Sequence, residues 1–257
     1  MLTTSDLSVG YPGARGAVLA PVSLHTEAGR FVCVLGRNGA GKSTLLRTLA
    51  GLLPPLAGCV RVQGDEVDRL PAAERARRIA VVLTERASSP GLTADDVVAL
   101  GRQPFTGWTG RLTADDHARI TSAFARAGAA AFRGRLFDDL SDGERQRVMI
   151  ARAMAQDARL LLLDEITAFL DLPGRVEVMT LLREHARTSG ASVILSSHDL
   201  DLSLQLADTI WLLGGQGGLV TGTTPELVSA GAIGRAFDTR EVVFSERLGR
   251  FELRSAR

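Results

Sequence analysis

The stretch GRNGAGKST, Gly36–Thr44, has the spacing G-x-x-x-x-G-K-[ST] and lies between an apolar run, RFVCVLG, and a helical pattern. Gly36, Gly39 and Gly41 let the backbone bend so that its N–H groups wrap a phosphate chain, and the helix that follows adds the partial positive charge of its N-terminus. Lys42 is placed to bridge a β- and a γ-phosphate, and the Ser43 hydroxyl to take one coordination position on Mg²⁺. Asn38 and Thr44 complete the binding set of this loop. The chemistry is nucleoside-triphosphate binding.

A second stretch, LLLLDE (Leu160–Glu165), supplies the complement. Four leucines make a buried strand, and Asp164 emerges at its C-terminal end, where ligands of open α/β sheets bind. Asp164 is expected in the Mg²⁺ shell, and Glu165 is placed to orient or deprotonate an attacking water. His198 follows another strand-like run, ASVILSS, and its position at a sheet's C-terminal edge favours a γ-phosphate contact over a bland surface role. Tyr11, the only tyrosine, sits in GYPG just after the first strand, where stacking on an adenine ring and a plain turn aromatic are about equally supported. The other histidines, His25, His117 and His185, have no such setting. The segment LSDGERQR, residues 140–147, puts Ser141 and Gly143 in a turn that opens a helix. Ser141 with Glu144 three residues later makes a capping box, and the free N–H groups of the first turn suit an anion.

The elements that must position these groups follow from periodicity. Short β-like runs alternate with turns up to RIAVVLT, interrupted by one helix from Lys42 that ends at Gly51 and Pro54-Pro55. Helical patterns then take over, with Thr93 and Thr113 as N-caps and the helix after Ser141 as the third. Apolar runs separated by helices resume at ARLLLLDE, which indicates a parallel sheet covered on both faces. The reading is an α/β core split by a helical insert over 92–157. A chain of 257 residues with 45% hydrophobic and 23% charged residues has ample core for this. A formal charge of +1 gives no ground for binding nucleic acid by bulk phosphate attraction. There is no signal pattern at the N-terminus and no window of membrane-spanning length, so the protein is expected in the cytoplasm, reaching a membrane only through a partner. Cys33 and Cys59 sit in apolar stretches and are expected as free, buried thiols.

Tyr11, GRNGAGKST, LSDGERQR, LLLLDE, FLD (Phe169–Asp171) and SSHD, in that order, resemble the nucleotide-binding subunits of ABC transporters, over essentially the whole chain. The resemblance implies an α/β fold: a P-loop NTPase core of the ABC ATPase type, with an antiparallel β subdomain and an inserted helical subdomain. It implies one domain over 1–257, with 1–91 and 158–257 as the nucleotide-binding core and 92–157 as the helical signature subdomain. It implies ATP and Mg²⁺ as ligands and a head-to-tail, ATP-dependent homodimer. In that dimer Ser141 and Gly143 of one copy close over the γ-phosphate held by Lys42 of the other, Asp171 touches the partner beside Glu165, and His198 is the switch histidine.

In phrasing, VVLTER, LTADDVVALGRQPFTGW and TAFLDLPGRVEVMTLLR are similar to the ATPase subunits of importers for siderophores, haem and vitamin B12. That subgroup docks on a separate transmembrane permease at the inner face of the cell membrane, and through it works with a substrate-binding protein. Phe105 and Trp108 are candidate permease anchors, with a core aromatic under a loop as the competing reading. Three departures stand out. Asp142 and Glu144 add carboxylates to the signature turn and are expected to point away from the triphosphate. Ile166 stands where proline is usual, and Thr84 or Glu85 falls where a glutamine normally contacts Mg²⁺. An exporter ATPase, a soluble ABC-type ATPase, a P-loop kinase or GTPase, and a non-hydrolysing nucleotide binder are the rivals.

Overall fold

The computed structural model describes residues 1–13, 16–83, 89–214 and 218–254. The chain opens with an antiparallel sheet built from β1 (Leu2–Tyr11), β2 (Gly16–Val22) and β3 (His25–Thr26). Next come β4 (Phe31–Gly36), α1 (Lys42–Leu49), β5 (Ala57–Val62), β6 (Asp65–Glu66), α2 (Ala72–Arg78) and β7 (Ile79–Val82). The antiparallel sheet has the order β2-β1-β5-β6, with β3 also paired to β1.

Three helices follow: α3 (Ala94–Ala99), α4 (Ala114–Arg126) and α5 (Asp142–Ala155). Each starts at a reciprocal capping box, Thr93 with Asp96, Thr113 with Asp116 and Ser141 with Glu144, so local sequence alone sets all three starts. The α/β alternation then returns as β8 (Leu160–Asp164), α6 (Leu172–Ser189), β9 (Ser192–Ser196), α7 (Leu200–Leu206), β10 (Thr209–Leu213) and β11 (Leu219–Gly222). Short helices α8 (Thr224–Ser229) and α9 (Ala232–Phe237) and a hairpin, β12 (Val242–Ser245) with β13 (Arg250–Leu253), close the described chain. Phe237, Phe244 and Phe251 stack edge to face under the hairpin and tie it to α9.

The central sheet has the order β11-β10-β4-β9-β8-β7, parallel throughout except for the antiparallel edge strand β11. Its strands are apolar on both faces because both faces are covered. The alternation is visible residue by residue. Phe31 and Cys33 of β4, Leu161 and Leu163 of β8, and Val193 and Leu195 of β9 join the core shared with α3–α6. Val32, Val34, Leu160, Leu162 and Ile194 join the core shared with α1 and the antiparallel sheet. Trp211 of β10 is fully buried, whereas Trp108, in a turn before α4, is 99% exposed. Both cysteines are free, but Cys59 is only half-buried, because β5 belongs to the smaller sheet and turns one side outward. Among the described residues no helix is long and apolar enough to cross a membrane.

Candidate functional site

Three neighbouring strands of the central sheet, in the order β4-β9-β8, end at the same edge. Gly36 ends β4, Asp164 ends β8 and Ser196 ends β9, so the loops that follow carry Lys42, Glu165 and His198 to one place. This is the carboxyl edge at which α/β sheets bind ligands. A pocket of about 380 Å³ there is lined by Val18, Asn38, Gly39, Gly41, Lys42, Ser43, Thr44, Glu165 and His198.

The loop reaches α1 through Gly39 and Gly41, with φ of 77° and 98°, the left-handed region that glycine enters without a Cβ penalty. A Cβ on Gly41 would also run into Val18 of β2. Lys42, in the first turn of α1, is only 4% exposed. Its ammonium donates to the carbonyls of Gly36 at 3.1 Å and Arg37 at 3.5 Å, and lies 3.6 Å from Glu165 Oε1. Burial pushes the Lys42 pKa below its ordinary value, while the nearby Glu165 and Asp164 carboxylates pull it back up. The result is a desolvated cation beside a run of free helix N–H groups.

Across the sheet, Asp164 is buried and its Oδ1 receives two hydroxyl protons, from Ser43 Oγ at 3.1 Å and Ser196 Oγ at 2.6 Å. Glu165 takes a left-handed backbone, φ 49°, a conformation costing a non-glycine residue about 1–2 kcal/mol. Its N–H is held by Ser196, through Oγ at 2.9 Å and the carbonyl at 3.1 Å. The bend brings Glu165 Oε1 to 2.6 Å from His198 Nε2 as well as into reach of Lys42. A smaller pocket on the far side of Glu165 and His198 is lined also by Thr167, Ala168, Arg175 and Asp199. Arg175 donates to the Leu170 carbonyl at 2.8 Å and lies 3.5 Å from Asp199, joining the loop after β8 to the loop after β9. Ser196 and Arg175 went unnoticed in the sequence. The SSHD run carries a signal for the first, a hydroxyl at a strand end two residues before the histidine.

The remaining candidates lie outside this pocket. Tyr11 ends β1, partly exposed, and does not line it. Ser141 and Gly143 do not line it either. Ser141 caps α5, its hydroxyl accepting the Glu144 N–H at 3.3 Å while Glu144 Oε2 accepts the Ser141 N–H at 2.8 Å. The other oxygen of Glu144 takes the Arg135 guanidinium at 2.8 Å, and these bonds hold its carboxyl below the usual range. The carboxylate of Glu144 is therefore turned back on its own turn. Asp171 caps α6 through the Gly174 N–H at 3.0 Å and is exposed beside the exposed Phe169 and Leu172. Phe105 is no core residue; it is partly exposed, with the guanidinium of Arg102 4.1 Å and that of Arg77 5.7 Å from its ring centre. Ile166 is buried in the core behind β8. Thr84 and Glu85 lie outside the described residues.

The donors suit Mg²⁺. Ser43 and Asp164 offer hard oxygens already in contact, and no group of three or more His, Cys, Asp or Glu forms a metal cage among the described residues. Few protein ligands beside a phosphate cradle is the pattern of Mg²⁺, which keeps waters and shares phosphate oxygens.

The ABC transporter family profile matches residues 19–168. Over 228 residues the chain is 42% identical to the hemin import ATP-binding protein of Streptomyces coelicolor, spanning 88% of this chain and 80% of that one. It is 32% identical over 246 residues to the ferric enterobactin transport ATP-binding protein of Escherichia coli, spanning 95% and 90%. A dimeric bacterial ABC transporter cassette superposes with a TM-score of 0.76 at 25% identity, over 87% of this chain and 99% of that one.

Proposed function

Because the chain belongs to the ABC transporter ATP-binding family, we propose that it powers import of an iron chelate, a siderophore or haem, or of the related cobalamin, through a separate transmembrane permease. Two relatives with different iron-bearing cargoes support the class.

The observation that carries the mechanism is a division of labour: Lys42, Ser43, Asp164, Glu165 and His198 converge at one edge, while Ser141 and Gly143 stand elsewhere. Lys42 binds the β- and γ-phosphates at short range in a dry setting, where its charge is strongest. Ser43 and Asp164 would hold Mg²⁺, which supplies charge neutralisation on the phosphates when bound. Glu165 orients the attacking water and accepts its proton, and His198 holds the Glu165 carboxylate and faces the γ-phosphate. The open N–H groups at the start of α5, with Ser141 and Gly143, are completed by the triphosphate of a second copy. Closure of the pair excludes water, and loss of the γ-phosphate releases it. Asp171, exposed at the head of α6, meets the partner, and Tyr11 stacks on the adenine.

In this reading 92–157 is the helical signature subdomain and 1–91 with 158–257 the nucleotide-binding core. The permease docks by the surface bearing Phe105 and Trp108, receives cargo from a substrate-binding protein and keeps this subunit at the inner face of the cell membrane.

The test is solution mass by light scattering for Glu165→Gln with and without ATP and Mg²⁺, beside the same chain carrying Ser141→Arg. ATP should double the mass of the first and not of the second. A monomer with ATP bound, together with wild-type turnover in Ser141→Arg, would overturn the paired mechanism.

A further inference from the structure

Ser196 ends β9 with no exposed surface, directly opposite Asp164 in the parallel register of β8 and β9. A serine hydroxyl has one proton to give and two lone pairs to receive with. The proton goes to Asp164 Oδ1 at 2.6 Å, the oxygen that also receives the Ser43 hydroxyl. A lone pair receives the Glu165 N–H at 2.9 Å, reinforced by the Ser196 carbonyl on the same N–H. One buried side chain thus orients a carboxylate and, through the adjacent peptide, the left-handed bend that aims its neighbour. Ile166 follows Glu165 without a proline ring to fix the turn, so the restraint on Glu165 comes from across the sheet.

We propose that Ser196 is a positioning residue for ATP hydrolysis, setting the Asp164 carboxylate toward Ser43 and the Glu165 carboxylate toward His198 and Lys42. It acts only through these neighbours. The inference rests on the hydrolytic reading above, and the experiment separates the two.

Full-length wild type, Ser196→Ala, Ser196→Cys and Glu165→Gln are compared in steady-state ATPase assays. Binding of Mn²⁺ in the presence of a non-hydrolysable ATP analogue is followed by electron paramagnetic resonance. Cysteine fills the space of serine but is a weak donor and acceptor. A loss due to packing therefore spares the cysteine variant, and a loss due to hydrogen bonding does not.

Both Ser196 variants should lose kcat by about 10-fold or more with the KM for ATP nearly unchanged, and bind Mn²⁺ about 10-fold more weakly, the size typical of partners behind a metal ligand. Wild-type kcat and Mn²⁺ affinity in Ser196→Cys would overturn the proposal, and this variant decides alone should Ser196→Ala fail to fold. If Glu165→Gln is inactive while Ser196→Cys is unimpaired, only the role of Ser196 falls. If Glu165→Gln hydrolyses ATP like the wild type, the hydrolytic reading falls and takes this inference with it.

Discussion

The two anion-ready turns of this molecule, the loop before α1 and the turn before α5, are built in opposite ways. Around Lys42 the charged groups hold one another and the strand ends: the ammonium sits on backbone carbonyls, Asp164 on two hydroxyls, Glu165 on His198. Around Ser141 the polar side chains are spent on the turn itself and on Arg135, and the residues stay at the surface. The first turn is a site within one chain. The second is an exposed, pre-capped helix end, to which a second copy brings the ligand in the proposed mechanism. Burial and desolvation make the first strong alone, whereas an exposed helix N-terminus contributes little until a partner removes the water around it.

Breaking the inward site should cost most. Glu165→Gln keeps the shape and removes the proposed proton acceptor, so turnover should fall by about 10²–10⁴-fold with ATP affinity nearly intact, read by steady-state kinetics beside equilibrium nucleotide binding. Ser141→Arg attacks the outward turn. Turnover should fall by about 10²-fold, the cost of losing one oxyanion-type donor, while a single chain binds ATP as before. If ATP affinity of the monomer falls instead, the two turns serve one nucleotide.

Gly41→Ala strains the first loop, through its left-handed φ and the overlap with Val18, by about 1–3 kcal/mol. Calorimetric titration with ATP and a thermal melt should share that loss between affinity and stability. Ser141→Ala leaves the N–H groups in place and removes only the cap, so a cost of about 1 kcal/mol in stability is expected by thermal melting.

A pH titration tests the joint between the helical segment and the core. His185 of α6 is buried against Arg126 of α4, and burial first, then that guanidinium, push its pKa from 6.5 down to about 4. A basic group with a depressed folded pKa contributes stability above its unfolded value and loses it as pH falls from 6.5 towards 4. The melting temperature should fall over that window, and less steeply in His185→Gln.

What the sequence disclosed and what it hid divide by distance along the chain. The loop Gly36–Thr44, the N-caps at Thr93 and Thr113 and the capping box at Ser141 were legible because each is closed by residues within a few positions of one another. The Asp164 cluster was half legible: apolar runs place a carboxylate at a strand end, but nothing local says which strands are neighbours. Ser43 and Ser196 meet Asp164 only because β4, β9 and β8 lie side by side, an order that no local stretch of sequence specifies. The packing of the Arg77 guanidinium over Phe105, between residues far apart in the chain, escaped for the same reason, whereas the closing hairpin escaped because its four-residue strands are too short to carry a period.

The chain has two tryptophans, and they occupy the extremes of exposure: Trp211 fully buried in the sheet and Trp108 almost wholly in water. Their emission should therefore separate into a blue component and a red one, and iodide should quench only the red. Without any added dye, the protein holds one optical reporter for unfolding of its interior and another for whatever comes to rest on the turn before α4.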